Sequence, residues 1–155
     1  MLEQVGRRSK FVVNAMRCFA VTMLLQVASV SAHHSYAPID NTRILELRGI
    51  VAQLEWTNPH VFLWVYVADE TEESGYKLWG FETGSITMMS KAGWLRDETF
   101  EVGEEVTIEY LPLRSGEAGG SLGSITHADG RFTPGDIPAL RFMDAIRAAE
   151  QEEAQ

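Results

Sequence analysis

One stretch limits the possible folds more than any other: residues 44–68, "ILELRGIVAQLEWTNPHVFLWVYVA". Ile44 to Trp56 alternates in part and is rich in branched residues, and Val61 to Ala68 is an almost unbroken run of β-formers. Such side chains suit a pleated, half-buried surface better than a helix, where a branched Cβ crowds the preceding turn. Between the two runs, Thr57-Asn58-Pro59 is a turn signal, because proline fixes φ and has no amide proton to donate. Two strands joined by so short a turn pair antiparallel.

The pattern continues as a meander. "DETEESG" reads as an acidic, Gly-ended hairpin loop, and Tyr76 to Glu82 ("YKLWGFE") as the returning strand. After Gly84 the period changes. "SITMMSKAGW" places Ile86, Met88 and Met89 on helical spacing, with Ser85 as cap and Gly93 as stop. The turn Val102-Gly103 introduces the strand Glu104 to Leu113, with Val106, Ile108 and Tyr110 on one face. "RSGEAGGSLG" reads as a flexible loop, and "GSITHADGRF" as a last strand ending in the Asp129-Gly130 turn. Three strands, a helix and two strands is the order of a small OB-like five-stranded barrel, so the expected fold is mainly β with one short inserted helix; an open β-sandwich fragment is the alternative. Beyond it, Pro138 stands near a helix N1 position and Leu140, Met143 and Ile146 share one side, which predicts an appended C-terminal helix fraying into an acidic tail.

The first 32 residues belong to a different class. Arg7, Arg8, Lys10 and Arg17 precede "CFAVTMLLQVASVSA", which ends in the small residues Val30-Ser31-Ala32, the signature of a secretory signal peptide cleaved after Ala32. The apolar run is shorter than the roughly 20 residues that span a bilayer, so no membrane span is expected after cleavage. Arg7-Arg8 invites a twin-arginine reading, but the following residues are displaced from that motif, and Met16 begins what is by itself a minimal signal. The expected organisation is a signal peptide (1–32), an N-terminal arm (33–43), the OB-like domain (44–132) and a linker, helix and acidic tail (133–155). The expected location is the periplasm or the cell exterior.

Cleavage changes the charge. The leader takes four of the 13 Lys and Arg and one of the 22 Asp and Glu, leaving 9 against 21, a net of −12. Such a surface disfavours nucleic acid and anionic lipid and favours cations or basic partners. Cys18, the only cysteine, lies in the leader, so the mature chain forms no disulfide.

"HHSY" (33–36), then "RGIVAQLEWTNPHVFLWVYV", "KAGWLRDETFEVGEEVTIEYLP" and "GSITHADGRF", in this order and spacing, resemble a family of short secreted bacterial proteins known as a domain of unknown function. The resemblance runs to about Phe132 and leaves out the helix after Pro138. It implies a fold and a compartment and carries no activity.

The candidate chemistry lies in the histidines. Cleavage after Ala32 makes His33 the N-terminal residue, with its α-amine (ordinary pKa about 7.7 to 8.0) beside its own imidazole. The two nitrogens close one chelate ring on a metal, and a third from a distant histidine completes the nitrogen-rich arrangement that copper(II) prefers. His60, behind the Asn58-Pro59 turn, is the best placed third donor; His34 and His127 are the alternatives. The competing account makes His33 and His34 a solvated terminus, His60 a strand-end residue and His127 solvent-facing. Trp56, Trp64, Trp79 and Trp94, with Asn58, could line an aromatic ligand groove on the barrel face, although core or rim packing accounts for the tryptophans better, and turn geometry for Asn58. The carboxylates follow no ligating pattern, and no catalytic motif is present. Three functions therefore stand: a small secreted binding module for copper or zinc, an accessory protein docking on an extracytoplasmic partner enzyme, and a copper-dependent oxidase or oxygenase.

Overall fold

The computed structural model describes residues 36–154. Along the chain run β1 (Leu45–Glu55), β2 (Phe62–Ala68), β3 (Tyr76–Glu82), α1 (Ile86–Lys91), β4 (Glu105–Pro112), β5 (Gly119–His127), β6 (Phe132–Pro134) and α2 (Ile137–Glu153).

The two runs that dominate the sequence pair as expected, with Glu55 opposite Phe62 and Ile50 opposite Tyr66, and a register shift between Val51 and Gln53. The Asn58-Pro59 peptide in the turn between them is cis. β3 returns antiparallel to β2, and β4 lies antiparallel to the other side of β1. β5 is antiparallel to β4 and meets β3 in parallel, Gly80 to Glu82 against Gly119 to Ser121. That last contact closes a five-stranded mixed barrel with the predicted OB-like order. β6, a sixth short strand, folds back on Ser124 to Thr126 after the Asp129-Gly130 turn.

Alternation along the strands sends Leu63 and Val65, Phe81, Ile108 and Ile125 to the interior, all fully buried. At about 1.5–3 kcal/mol for each large aliphatic or aromatic side chain, this layer is the main favourable contribution to the fold. α1 forms where the period changed, with the Ser85 hydroxyl accepting from Met88 N. Met89 enters the core and Met88 remains exposed. Among the described residues no helix is long and apolar enough to cross a membrane.

Two expectations need correction. The glycine-rich segment is a strand from Gly119 onward, not a flexible loop. A Cβ on Gly120 would stand 2.2 Å from the Leu111 carbonyl oxygen, so glycine permits the close approach of β5 to β4 beside the barrel seam. The acidic tail does not fray at once, because α2 continues through Glu153. Glu, Gln and Ala are strong helix formers, and their propensity carries the helix beyond its docked part. That docked part uses Ala139, Phe142, Met143 and Ile146 against Ile39, Leu111 and Leu113, while Leu140 stands outside this cluster. Arg147 anchors the helix further by donating to Glu109, which also accepts from the Ser124 hydroxyl. Partial burial pushes the Glu109 carboxyl up, but the two donors outweigh it and hold it below the usual range.

Candidate functional site

His60 is placed by the Asn58-Pro59 turn at the head of β2, and its Nδ1 contacts the Glu82 carboxylate at the end of β3. Glu82 lies between Phe62 of β2 and Ser121 of β5 on the outer side of the barrel. The Ser121 hydroxyl in turn interacts with the phenol of Tyr36, whose main partner is the buried carboxylate of Asp136 at the start of α2. The Tyr36 ring also packs against Phe142, with centroids 5.5 Å apart. Tyr36 ends the "HHSY" segment and His60 ends "WTNPH". Parallel pairing of β3 with β5 therefore brings two distant pieces of sequence to one rim.

This arrangement has identifiable chemistry. A carboxylate on Nδ1 fixes the tautomer and plane of an imidazole, the arrangement that orients histidine ligands in metal sites. Beside it, Trp64 donates from Nε1 to Glu55 at 3.0 Å and stacks on Phe62, with centroids 5.8 Å apart. The indole lies across Gly80, where a Cβ would come within 2.6 Å of the ring. Only glycine lets the tryptophan lie flat there.

Burial pushes the Tyr36 phenol up from its ordinary value, and the Asp136 carboxylate pushes it further, since a phenolate opposite a carboxylate is unfavourable. The folded state thus favours the protonated phenol. Its contribution to stability is complete below the unfolded tyrosine pKa of about 10 and is lost as pH rises above it. Denaturant midpoints should fall between about pH 8 and about pH 11, and less steeply for Tyr36→Phe. Tyr110, also raised by burial, supplies a remaining slope. An unchanged slope in Tyr36→Phe would show that the phenol is not tied to the fold.

The other sequence candidates separate. His33 and His34 lie outside the described residues, as does the leader. His127 is not solvent-facing but buried, stacked on Phe100 at 5.3 Å. Its Nε2 lies 2.8 Å from the Thr133 hydroxyl, and its Nδ1 is 3.0 Å from Glu104 and 2.9 Å from Arg131. Both ring nitrogens are thus engaged in joining β5 to its neighbours. Asn58 is exposed in its turn. The tryptophans do not share a groove. Trp94 is 1 % exposed, donates to the Pro134 carbonyl at 2.8 Å and meets Phe100 edge-on. Trp79 stacks on Phe81, and Trp56 packs half-buried against the core. Trp64 alone is on the outer face of its strand.

Sequence reasoning missed the residues that continue that outer face: Phe62, Tyr66, Tyr76 and Leu78. Their signal was present in "FLWVYVA", where Phe62, Trp64 and Tyr66 recur with period two. It also missed Glu82 and Asp136, whose partners are remote in sequence. Elsewhere, a groove of about 470 Å³ runs past Arg48, Tyr76, Glu105, Thr107 and Thr126. Among the described residues no group of three or more His, Cys, Asp or Glu is arranged to hold a metal ion.

Residues 22–122 match the profile of a family of unknown function, DUF6152. The match includes Tyr36, His60, Glu82 and Ser121 and stops short of Asp136 and α2. No curated protein and no solved structure matches the chain.

Proposed function

The chain belongs to the DUF6152 family, and we propose that it is a small extracytoplasmic binding module that takes copper or zinc through His33 at the mature N-terminus, with His34 and His60 as further imidazole donors. The observation supporting this reading is the rim that joins Tyr36, Ser121, Glu82 and His60. Tyr36 is fixed there by Asp136. His33 is three residues upstream of Tyr36 in the sequence. The Nδ1 of His60 is already taken by the Glu82 carboxylate. The donor nitrogen of His60 toward a metal would be Nε2.

The donor set suits copper(II), which favours imidazole and amine nitrogens, more than the hard, oxygen-seeking cations. Glu82 would act through His60 by orienting its ring and raising its basicity. The test is calorimetric titration of copper(II) into the chain beginning at His33 and into its His60→Ala and Glu82→Gln variants. His60→Ala should weaken binding while circular dichroism retains the β spectrum. Glu82→Gln should cost about 10–100-fold, the usual effect of removing a carboxylate that orients a ligand. Equal affinity in all three proteins overturns the assignment of His60, and the absence of binding overturns the metal reading.

A further inference from the structure

β3 leaves half of one edge without a neighbouring strand. β2 pairs with its whole length, but β5 meets it only from Gly80 to Glu82. In an antiparallel ladder, alternate residues turn both backbone groups toward the partner and the residues between turn both away. The bonds from Thr83 N to Val61 O and from Asp69 N to Gly75 O bracket the β2–β3 ladder and fix its parity. On that parity Lys77, Trp79 and Phe81 bond to β2, whereas Tyr76, Leu78 and Gly80 face the other edge. Gly80 N there reaches the Ala118 carbonyl at 3.4 Å. Tyr76 is engaged on both its amide and its carbonyl by the Ser74 hydroxyl. Leu78 is the residue whose outward backbone groups have no strand opposite them among the described residues.

The surface beside this edge is apolar and its ends are acidic. Leu78, Tyr66 and Tyr76 are 45 %, 46 % and 47 % exposed, and Leu78 pairs directly with Tyr66. Asp69, Glu70, Glu72 and Glu73 crowd the loop between β2 and β3, and Glu55 and Glu82 flank the far end of the same face. A second copy of the chain pairing antiparallel along this edge would set the acidic loop of each against the acidic far end of the other, at Glu55 and Glu82, in a protein of net charge −9. Like charges meeting across an interface are repelled, so the charge selects a cationic occupant.

We propose that the Tyr76 to Trp79 edge of β3 accepts an extended basic segment of a partner protein as an added strand. Backbone bonds to Leu78 would supply affinity, apolar side chains would cover Tyr66, Leu78 and Tyr76, and basic ones would meet the Asp69 to Glu73 loop. This docking needs no metal and does not depend on the fate of the N-terminus.

The probe is an end-blocked peptide of about ten residues alternating valine and lysine, titrated into the full chain and followed by amide exchange of Leu78. Binding should slow that exchange and weaken with added salt. Leu78→Pro removes an outward amide without removing a bond to β2, a position where proline is tolerated, and should lower peptide affinity at least tenfold with the fold retained. The same peptide N-methylated on alternate amides should fail against the unaltered protein, which keeps the test independent of how Leu78→Pro folds. Equal binding of the methylated peptide, unchanged Leu78 exchange on binding, or no binding overturns the proposal. So does sedimentation showing that the chain pairs with itself through this edge.

Discussion

Replacing Trp94 by alanine is expected to lower the free energy of unfolding by about 3–5 kcal/mol, a large share of the roughly 5–15 kcal/mol that holds a domain folded. The indole is 1 % exposed and lies edge-on to Phe100, so the substitution leaves a cavity that a closed barrel fills poorly. It also removes the donor to the Pro134 carbonyl, which ties the segment after α1 to β6. Urea unfolding should show a lower midpoint with an unchanged slope, since the surface exposed on unfolding hardly changes. Trp64→Ala is the control. Its side chain is half-buried on the outer face, so it should cost clearly less. Equal losses at the two positions would mean that Trp94 is not the core residue its burial indicates.

The contrast between these tryptophans shows what the sequence could and could not tell. Strand runs, the Ser85 cap and the order of elements were legible because each rests on a local signal: period two, a hydroxyl before a helix, a proline turn. Those signals led to the barrel. The direction of each tryptophan depends on strand parity and was legible for Trp64 in the period of "FLWVYVA", but Trp94 lies after α1, outside any strand. His127 is two residues after the buried Ile125, so the same period pointed it inward. A last residue before a turn nevertheless reads as exposed.

Other features depend on contacts that no local window contains. Glycine at 119, 120 and 123 resembles a flexible loop by composition, yet Gly120 serves a strand contact whose other side, Leu111, is not adjacent in sequence. The Tyr36–Asp136 contact joins residues 100 positions apart. Glu82 could not be distinguished by sequence from the other carboxylates. Only the parallel seam between β3 and β5 brings it beside Ser121, and so beside the root of the N-terminal arm.

The second large expected effect follows from the proposed mature N-terminus: in a chain that begins at His33, blocking the α-amine by acetylation should lower copper(II) affinity by at least tenfold, or about 1.4 kcal/mol. On the proposed chemistry, amine and imidazole of one residue bind together, so removing the amine opens the chelate ring and leaves a single monodentate imidazole on that residue. Acetylation is a cleaner probe than extending the chain, because an added residue brings a new amine that can itself chelate beside His33 and His34. For the unblocked protein, affinity should fall as pH drops through the ordinary amine range and then through the imidazole value of about 6.5, because both groups must lose their protons to donate. Binding near neutrality should therefore release protons, and the acetylated protein should release fewer. Calorimetry in two buffers of different ionisation enthalpy measures that difference directly. Equal affinity and equal proton release with and without the acetyl group would exclude the amine as a donor. The remaining candidates would then be the imidazoles of His33, His34 and His60, of which His60→Ala tests the one remote from the terminus.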